Sequence, residues 1–358
     1  FKVKDIRSIM TTKLTLFEFI KKIPKVDIHY HIMGGISPET MNELNLKYKC
    51  GLSCEEINDY FARDVNKSKG AIYALKMLYS LMREHDDLYY VAYEIGRSSS
   101  NNGVKYQELT WNPNEVNLSY CDATQSLIDG FSAAEKDFDI ITRLIPGINR
   151  ERSPEQALRM VNDVINNPFS EVLGIGMDYK EHNAPPEQFW KSYRTAKEAG
   201  LFLTAHCCEW EIHWRNLETA LNLLQCDRID HGYSVINNKE LIQICRDNGT
   251  FFTVVPSNSY FWKKYGGNTP EWRENHPIRK MFDSGLRIIP ATDDPELHLT
   301  NATKCYLSLV EDFGFSIDDI RQCIINGIDG SWAPTNKKKL WHSHWLKEFD
   351  QLRLKLAE

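Results

Sequence analysis

Ile288-Ile289-Pro290-Ala291-Thr292-Asp293-Asp294-Pro295 sets two adjacent acids behind an apolar run and directly ahead of a proline. The run reads as a short buried strand. Pro295 cannot extend it, so Asp293 and Asp294 fall at a strand end. Neighbouring carboxylates repel each other and are costly where water is scarce, so a pair at such a place calls for a cation or a shared proton. The plain alternative is a solvated Asp-Asp turn, and the other strand ends of the chain decide between the two.

Length and composition narrow the field. A chain of 358 residues has room for two average domains, or for one α/β barrel of about 250 residues with insertions. An apolar share of 42% supports a sizeable core, and no apolar run approaches the ~20 residues of a membrane span. The net charge of -6 and the scatter of lysines, with Lys337-Lys338-Lys339 the one tight run, offer nothing for nucleic acid to bind. Neither a membrane nor a nucleic acid is expected as partner. Nine cysteines, an odd number, and a start unlike a secretory leader point to a reducing, cytoplasmic setting. Cys50 and Cys54 have no second pair at zinc-finger spacing and read as ordinary thiols.

From the N-terminal side, Thr15-Leu16-Phe17-Glu18 fits a capping box, and Leu16, Phe17, Ile20 and Ile23 keep helical spacing until Pro24. Val26-Asp27-Ile28 then reads as a strand that ends in His29-Tyr30-His31. Residues two apart share a strand face, so both imidazoles can meet one cation. Ser37-Pro38-Glu39 opens the next helix. From about residue 44 to 100 the patterns are helical, which predicts a helical insertion after the first strand, placed as a wall or lid over a site or packed on the outside.

Seven further β-like runs follow: Val104 to Thr110, Asp139 to Ile145, Glu171 to Met177, Leu201 to Ala205, Arg228 to Asp230, Thr250 to Val255 and Leu286 to Ile289. Helix-length segments separate them, with helix starts at Ser153-Pro154-Glu155-Gln156 and Pro185-Pro186-Glu187. Eight strands alternating with helices predict a (β/α)8 TIM barrel, a single domain over residues 1–358, with its site at the C-terminal strand ends. A doubly wound open sheet is the rival, but Gly34-Gly35 is a poor match to a phosphate-binding glycine turn. In the barrel, His29 and His31 end strand one, His206 strand five, His231 strand six, and Asp293 and Asp294 strand eight. Such a set suits a divalent cation, zinc best, with iron, manganese or cobalt able to use the same ligands. Glu209, three residues past His206, can enter the same mouth without binding metal, where burial would raise its pKa and let it act as an acid.

His29-x-His31, His206 with Glu209, Arg228-Ile229-Asp230-His231-Gly232, Pro256-Ser257-Asn258 and Thr292-Asp293-Asp294-Pro295 resemble, in order and spacing, the adenosine/adenine deaminase family of the amidohydrolase superfamily. The similarity runs from Ile23 to about Ala333. It implies one zinc per chain on His29, His31, His206 and Asp293, and a metal-activated water that attacks C6 of a 6-aminopurine. By the same resemblance His231, Glu209 and Asp294 are the catalytic residues: His231 deprotonates the water, Glu209 protonates N1, and Asp294 holds the hydroxide and bonds toward N7. His31, Met33, Gly34, Tyr179 and Asp294 would contact the substrate. The other zinc deaminase class, with H-x-E and P-C-x-x-C, has no counterpart here.

The departures from the family pattern bear on substrate. Met33 stands where nucleoside deaminases carry Asp and adenine deaminases Glu, so adenosine itself is expected to fit poorly. An apolar residue at that place is similar to the branch acting on aminodeoxyfutalosine, and an N6-substituted purine is another option. Cys207-Cys208 replaces a small pair and is expected to narrow the floor, and Tyr179 lies where the adenosine enzymes place a purine-contacting glycine. Two other classes stand beside the deaminase: a two-metal amidohydrolase using Lys180 as a carboxylated bridge, and a barrel that has lost its chemistry and serves as a binding protein. Trp210 to Trp214 and Tyr260 to Trp262 offer aromatic rings for a pocket.

Overall fold

The computed structural model describes residues 13–62 and 70–357. Eight parallel strands form a nearly closed barrel with helices between them. They are β1 (Lys25–Asp27), β2 (Val104–Trp111), β3 (Ile141–Asn149), β4 (Gly174–Asp178), β5 in two pieces (Phe202–Leu203 and His206–Cys207), β6 (Ile229–His231), β7 (Phe251–Val254) and β8 (Arg287–Pro290). Register runs Asp27 to Gln107, Gln107 to Thr142, Ile148 to Met177, Ile175 to Leu203, His206 to Asp230, Ile229 to Phe252 and Thr253 to Ile289. Two features close the circle. The break in β5 is spanned by Thr204 N to Ile175 O (3.1 Å) and Asp230 N to Ala205 O (3.0 Å), and β8 joins β1 through His31 N to Asp293 O (2.8 Å) and Asp293 N to His29 O (2.9 Å).

The strands are apolar and buried because helices cover them outside and side chains fill them inside. Ile175, Leu203, Ile229, Phe252, Ile288 and Ile289 are all fully buried. The helix starts fall where their caps place them. Thr15 and Glu18 close a capping box on Leu16–Lys22, Ser153 and Gln156 another on Pro154–Asn166, and Ser37 caps Pro38–Tyr48 with proline in the first turn. Pro186–Phe189 is a 3-10 turn that leads into the helix Trp190–Glu198.

Between β1 and β2 lie the helices Pro38–Tyr48, Cys54–Phe61, Ala71–Leu81 and His85–Asn101. Residues 63–69 of the expected 44–100 segment lie outside the described residues. The last helix packs along Tyr120–Phe138 as a regular member of the outer layer, so helical pattern alone did not separate extra helices from the barrel's own. Among the described residues no helix is long and apolar enough to cross a membrane.

Near the end of the barrel opposite the histidines, Arg228 at the start of β6 is buried with Glu108 of β2. The two form an ion pair, the guanidinium lies 4.0 Å over the Trp332 ring, and Glu108 also accepts from Tyr106 Oη (2.8 Å) and Trp332 N (2.5 Å). Removing one partner of such a pair strands the other charge in the core. Arg228→Met should therefore lower unfolding free energy by about 3–5 kcal/mol, read as a fall in urea midpoint at unchanged slope.

Candidate active site

His29 and His31 follow β1 directly, and β5 and β6 deliver His206 and His231 to the same mouth. His29 and His206 sit in the middle: each contacts both outer rings, His31 and His231, at centroid distances of 4.6–5.7 Å. Their orientation is fixed from behind. The Thr253 hydroxyl donates to Asp230 Oδ1 (2.7 Å), so its oxygen accepts from His29 Nδ1–H (2.9 Å). Asp230 Oδ2 accepts from Thr204 (2.9 Å) and lies 3.5 Å from His206 Nδ1. The Nε2 atoms of His29 and His206 then face each other at 3.1 Å.

Two imidazole lone pairs at that separation repel unless something positive lies between them. Burial disfavours a proton on His29 and His31, yet the carboxylates outweigh it: Asp230 and Asp293 raise the pKa of His29, and Asp294 and Asp293 raise that of His31. The field thus calls for positive charge at this point. His29, His31, His206 and Asp293 offer ligand atoms that all lie within 4.8 Å of one another, and all four residues are buried. Both ring nitrogens of His31, Nε2 of His231 and Oδ1 of Asp294 are buried without a hydrogen-bond partner. Orphaned nitrogen and oxygen atoms around one point fit a divalent metal.

The acids divide by environment. Burial would raise Asp293, but His29 and His31 beside it, with further help from His298, hold its carboxyl well below the usual range. Glu209 goes the other way: burial, reinforced by Asp293, pushes it well up, although Asn258 Nδ2 donates to it at 3.0 Å. Its Oε2 lies 3.7 Å from His231 Nε2. His231 itself is held well below its ordinary pKa by burial and by His29 and His206, so a weakened imidazolium stands beside a weakened acid, the pairing that suits a base and an acid. Asp294 Oδ1 lies 3.4 Å from His31 Nδ1. Gly34 lies close behind it, because a Cβ at that residue would sit 2.1 Å from the same oxygen.

The backbone is strained where it presents these groups. Tyr179, Cys208, His231 and Asp293, at or just beyond the ends of β4, β5, β6 and β8, have φ of 68°, 57°, 67° and 64°. A non-glycine residue held there costs about 1–3 kcal/mol and persists only where surrounding packing imposes it.

A cavity of about 520 Å³ opens above the cluster, within the usual ligand-site range of ~300–1,000 Å³. His31, His206, Glu209, Asp293, Asp294 and Tyr179 line it, as do Tyr73 and Lys76 of the helix Ala71–Leu81. That helix is one wall of the site. Trp210 and Tyr260 each bring a ring from the two aromatic segments. Met33 is not at the wall: it is fully buried in the core, so the position expected to face the substrate packs behind the cavity. Cys207 and Cys208 are likewise buried off the lining: Cys207 takes the strand face opposite His206, and Cys208 follows at a left-handed φ of 57°.

Four residues with no role from sequence belong to the site. Asp230 and Thr253 orient the histidines, Asn258 holds Glu209, and Asp178 lines the cavity with its Oδ2 3.6 Å from His31 Nε2 and its pKa pushed by burial to about 7. Asp178 is the last residue of β4 and Asp230 precedes His231, so the rule that sites lie at strand ends was signal enough to find both.

A family model described as adenosine deaminase matches residues 24–345. The chain belongs to the adenosine deaminase family. An adenosine deaminase from Clostridium acetobutylicum is 26% identical over 329 residues, covering 89% of this chain and 96% of that one. An adenine deaminase from Psychrobacter cryohalolentis is 26% identical over 344 residues, covering 94% and 99%. Among solved structures, an amidohydrolase from Burkhoderia ambifaria with bound zinc is 38% identical, with a TM-score of 0.90 over 96% of this chain and 97% of that one. Membership of this family and the cluster of His and Asp ligands identify a metal-dependent hydrolytic deaminase.

For this deaminase Asp293→Ala should lose bound metal and turnover together, checked by elemental analysis beside a rate assay. Asp230→Asn keeps every ligand but loosens His29 and His206, so metal affinity should fall about 10- to 100-fold in a chelator competition.

Proposed function

We propose that this protein hydrolyses the exocyclic amine of a 6-aminopurine, a base, nucleoside or modified nucleoside, to the 6-oxopurine and ammonia, with one zinc ion per chain held by His29, His31, His206 and Asp293. The observation that carries the reading is that Glu209 Oε2 and His231 Nε2 meet 3.7 Å apart at the edge of the ligand cluster, both within reach of Asp293, with the Glu209 carboxyl pushed up and the His231 imidazole pushed down by burial. A divalent cation bound there supplies Lewis-acid activation of water. His231 Nε2, buried and without a hydrogen-bond partner, takes the proton of the attacking water. Glu209, held by Asn258, gives its proton to N1 so that the ring accepts the electron pair; the amine then takes the proton His231 accepted and leaves as ammonia, while the C6 hydroxyl returns its proton to Glu209 and C6 keeps the oxygen as a carbonyl. Asp294 orients the water and hydrogen-bonds toward the purine N7, and His31 and Tyr179 line the same cavity.

The place of Met33 behind the cavity wall leaves the family's ribose-holding position without a polar group, which supports poor use of unmodified adenosine relative to other 6-aminopurines. Lys180 is exposed at the mouth, and so unsuited to the buried carboxylated bridge of a two-metal site. Nine free thiols support a reducing, cytoplasmic location.

A spectrophotometric screen of adenine, adenosine and N6- or 5'-modified adenosines, following conversion to the 6-oxopurine, tests the reading, and no conversion of any 6-aminopurine by metal-loaded protein would overturn it. Glu209→Gln keeps the shape and the bond from Asn258 but has no proton to give. It should retain metal while turnover falls ~100-fold or more; loss of metal in this variant would remove Glu209 from its role.

A further inference from the structure

Two carboxylates flank the histidine cluster at opposite ends, and the proposed chemistry uses one of them. Glu209 lies 3.7 Å from His231 Nε2, while Asp178 lies 3.6 Å from His31 Nε2, and His29 and His206 separate these outer rings. A flat ring lying over the cluster with its N1 edge at Glu209 turns its far edge toward Asp178.

Asp178 is held rigidly for contact there. Asn112, just past β2, donates from Nδ2 to both carboxylate oxygens (2.8 and 3.0 Å) and to Gly147 O (3.1 Å). The amide cannot turn over, because its Oδ1 accepts from Tyr79 Oη (2.8 Å), which in turn accepts from Asn112 N (2.7 Å). Tyr79 comes from the helix Ala71–Leu81 that walls the cavity, so that wall also sets the acid. Each oxygen of a carboxyl group can accept from more than one donor. Asp178 is 3% exposed, takes one neutral side-chain donor, and lines the cavity. Its carboxyl therefore keeps acceptor capacity on the cavity side, beside His31.

We propose that Asp178 contacts the substrate, accepting a hydrogen bond from a donor on the N9 side of the bound 6-aminopurine. The donor is either the ring N–H of a free base or a sugar hydroxyl, two sources of the same chemistry. The proposal rests on the deaminase reading for the orientation of the ring.

The test is Asp178→Asn, with Asp178→Ala beside it, assayed on adenine, adenosine and 9-methyladenine, which has no donor on that side. The amide introduced by Asp178→Asn would still accept from Asn112 through its oxygen and so would turn its own N–H toward the cavity, facing donor to donor. Metal content should stay at the parent's level, and kcat/KM should fall about 10- to 100-fold on whichever of adenine and adenosine supplies the donor. The 9-methyladenine rate should change little. Calorimetric titration with hypoxanthine, inosine and 9-methylhypoxanthine should show the same selective weakening without turnover. Equal losses on all three substrates, no loss on any, or loss of metal would overturn the proposal, the last by showing that Asp178 serves to hold His31. If the parent converts none of the three, the titrations judge Asp178 alone, and binding unaffected or uniformly weakened counts against it; the deaminase reading itself fails only if the wider screen of modified 6-aminopurines also shows no conversion.

Discussion

His29 Nε2 and His206 Nε2 face each other at 3.1 Å inside a ring of carboxylates, and much of the mouth of the barrel is arranged around the positive charge this demands. The two rings cannot turn away, because Asp230, fixed by Thr204 and Thr253, holds them from behind. Burial would raise the Asp230 carboxyl, but His29, His206 and Arg228 together hold it below its ordinary value. It therefore remains ionised, and the tautomers of its neighbours stay set. A divalent cation answers this field with the ligands already in place.

That charge also separates the proton-moving groups. Asp293, in contact with His29 and His31, is held well below the usual carboxylate range, whereas Glu209, half-buried on the cavity side and bonded by a neutral amide, is pushed well above it. Two carboxyl groups of similar intrinsic acidity are thus driven apart by surroundings alone, and His231 is held well below its ordinary pKa by burial and by the His29 and His206 imidazoles. The cost of assembling such a site appears in the backbone. Tyr179, Cys208, His231 and Asp293 all hold left-handed φ angles at the C-terminal ends of their strands, and the Arg228–Glu108 pair with its covering Trp332 anchors the opposite end of the barrel beneath them.

Much of this was legible in the chain as written. Alternating short apolar runs and helix-length segments gave the eight strands and the barrel, because strands buried on both faces must be apolar and capped helices must start at Ser, Thr or Pro. His-x-His, His206, His231 and the Asp293-Asp294 pair were recognisable as strand-end polar groups, which is where a parallel barrel puts its chemistry. What sequence could not decide depends on direction and enclosure. Whether Met33 faces the substrate or the core turns on the 3-10 turn it begins, and it packs inward. Cys207 lies on the strand face opposite His206, and the left-handed φ of Cys208 keeps that side chain off the cavity as well. The protonation of Glu209 and the reach of Asp178 follow from how much water the folded walls exclude and from which neighbours stand within a few ångströms. Spacing along a chain fixes which side chains arrive at the mouth; only the closed barrel fixes where each one points and what charge it carries there.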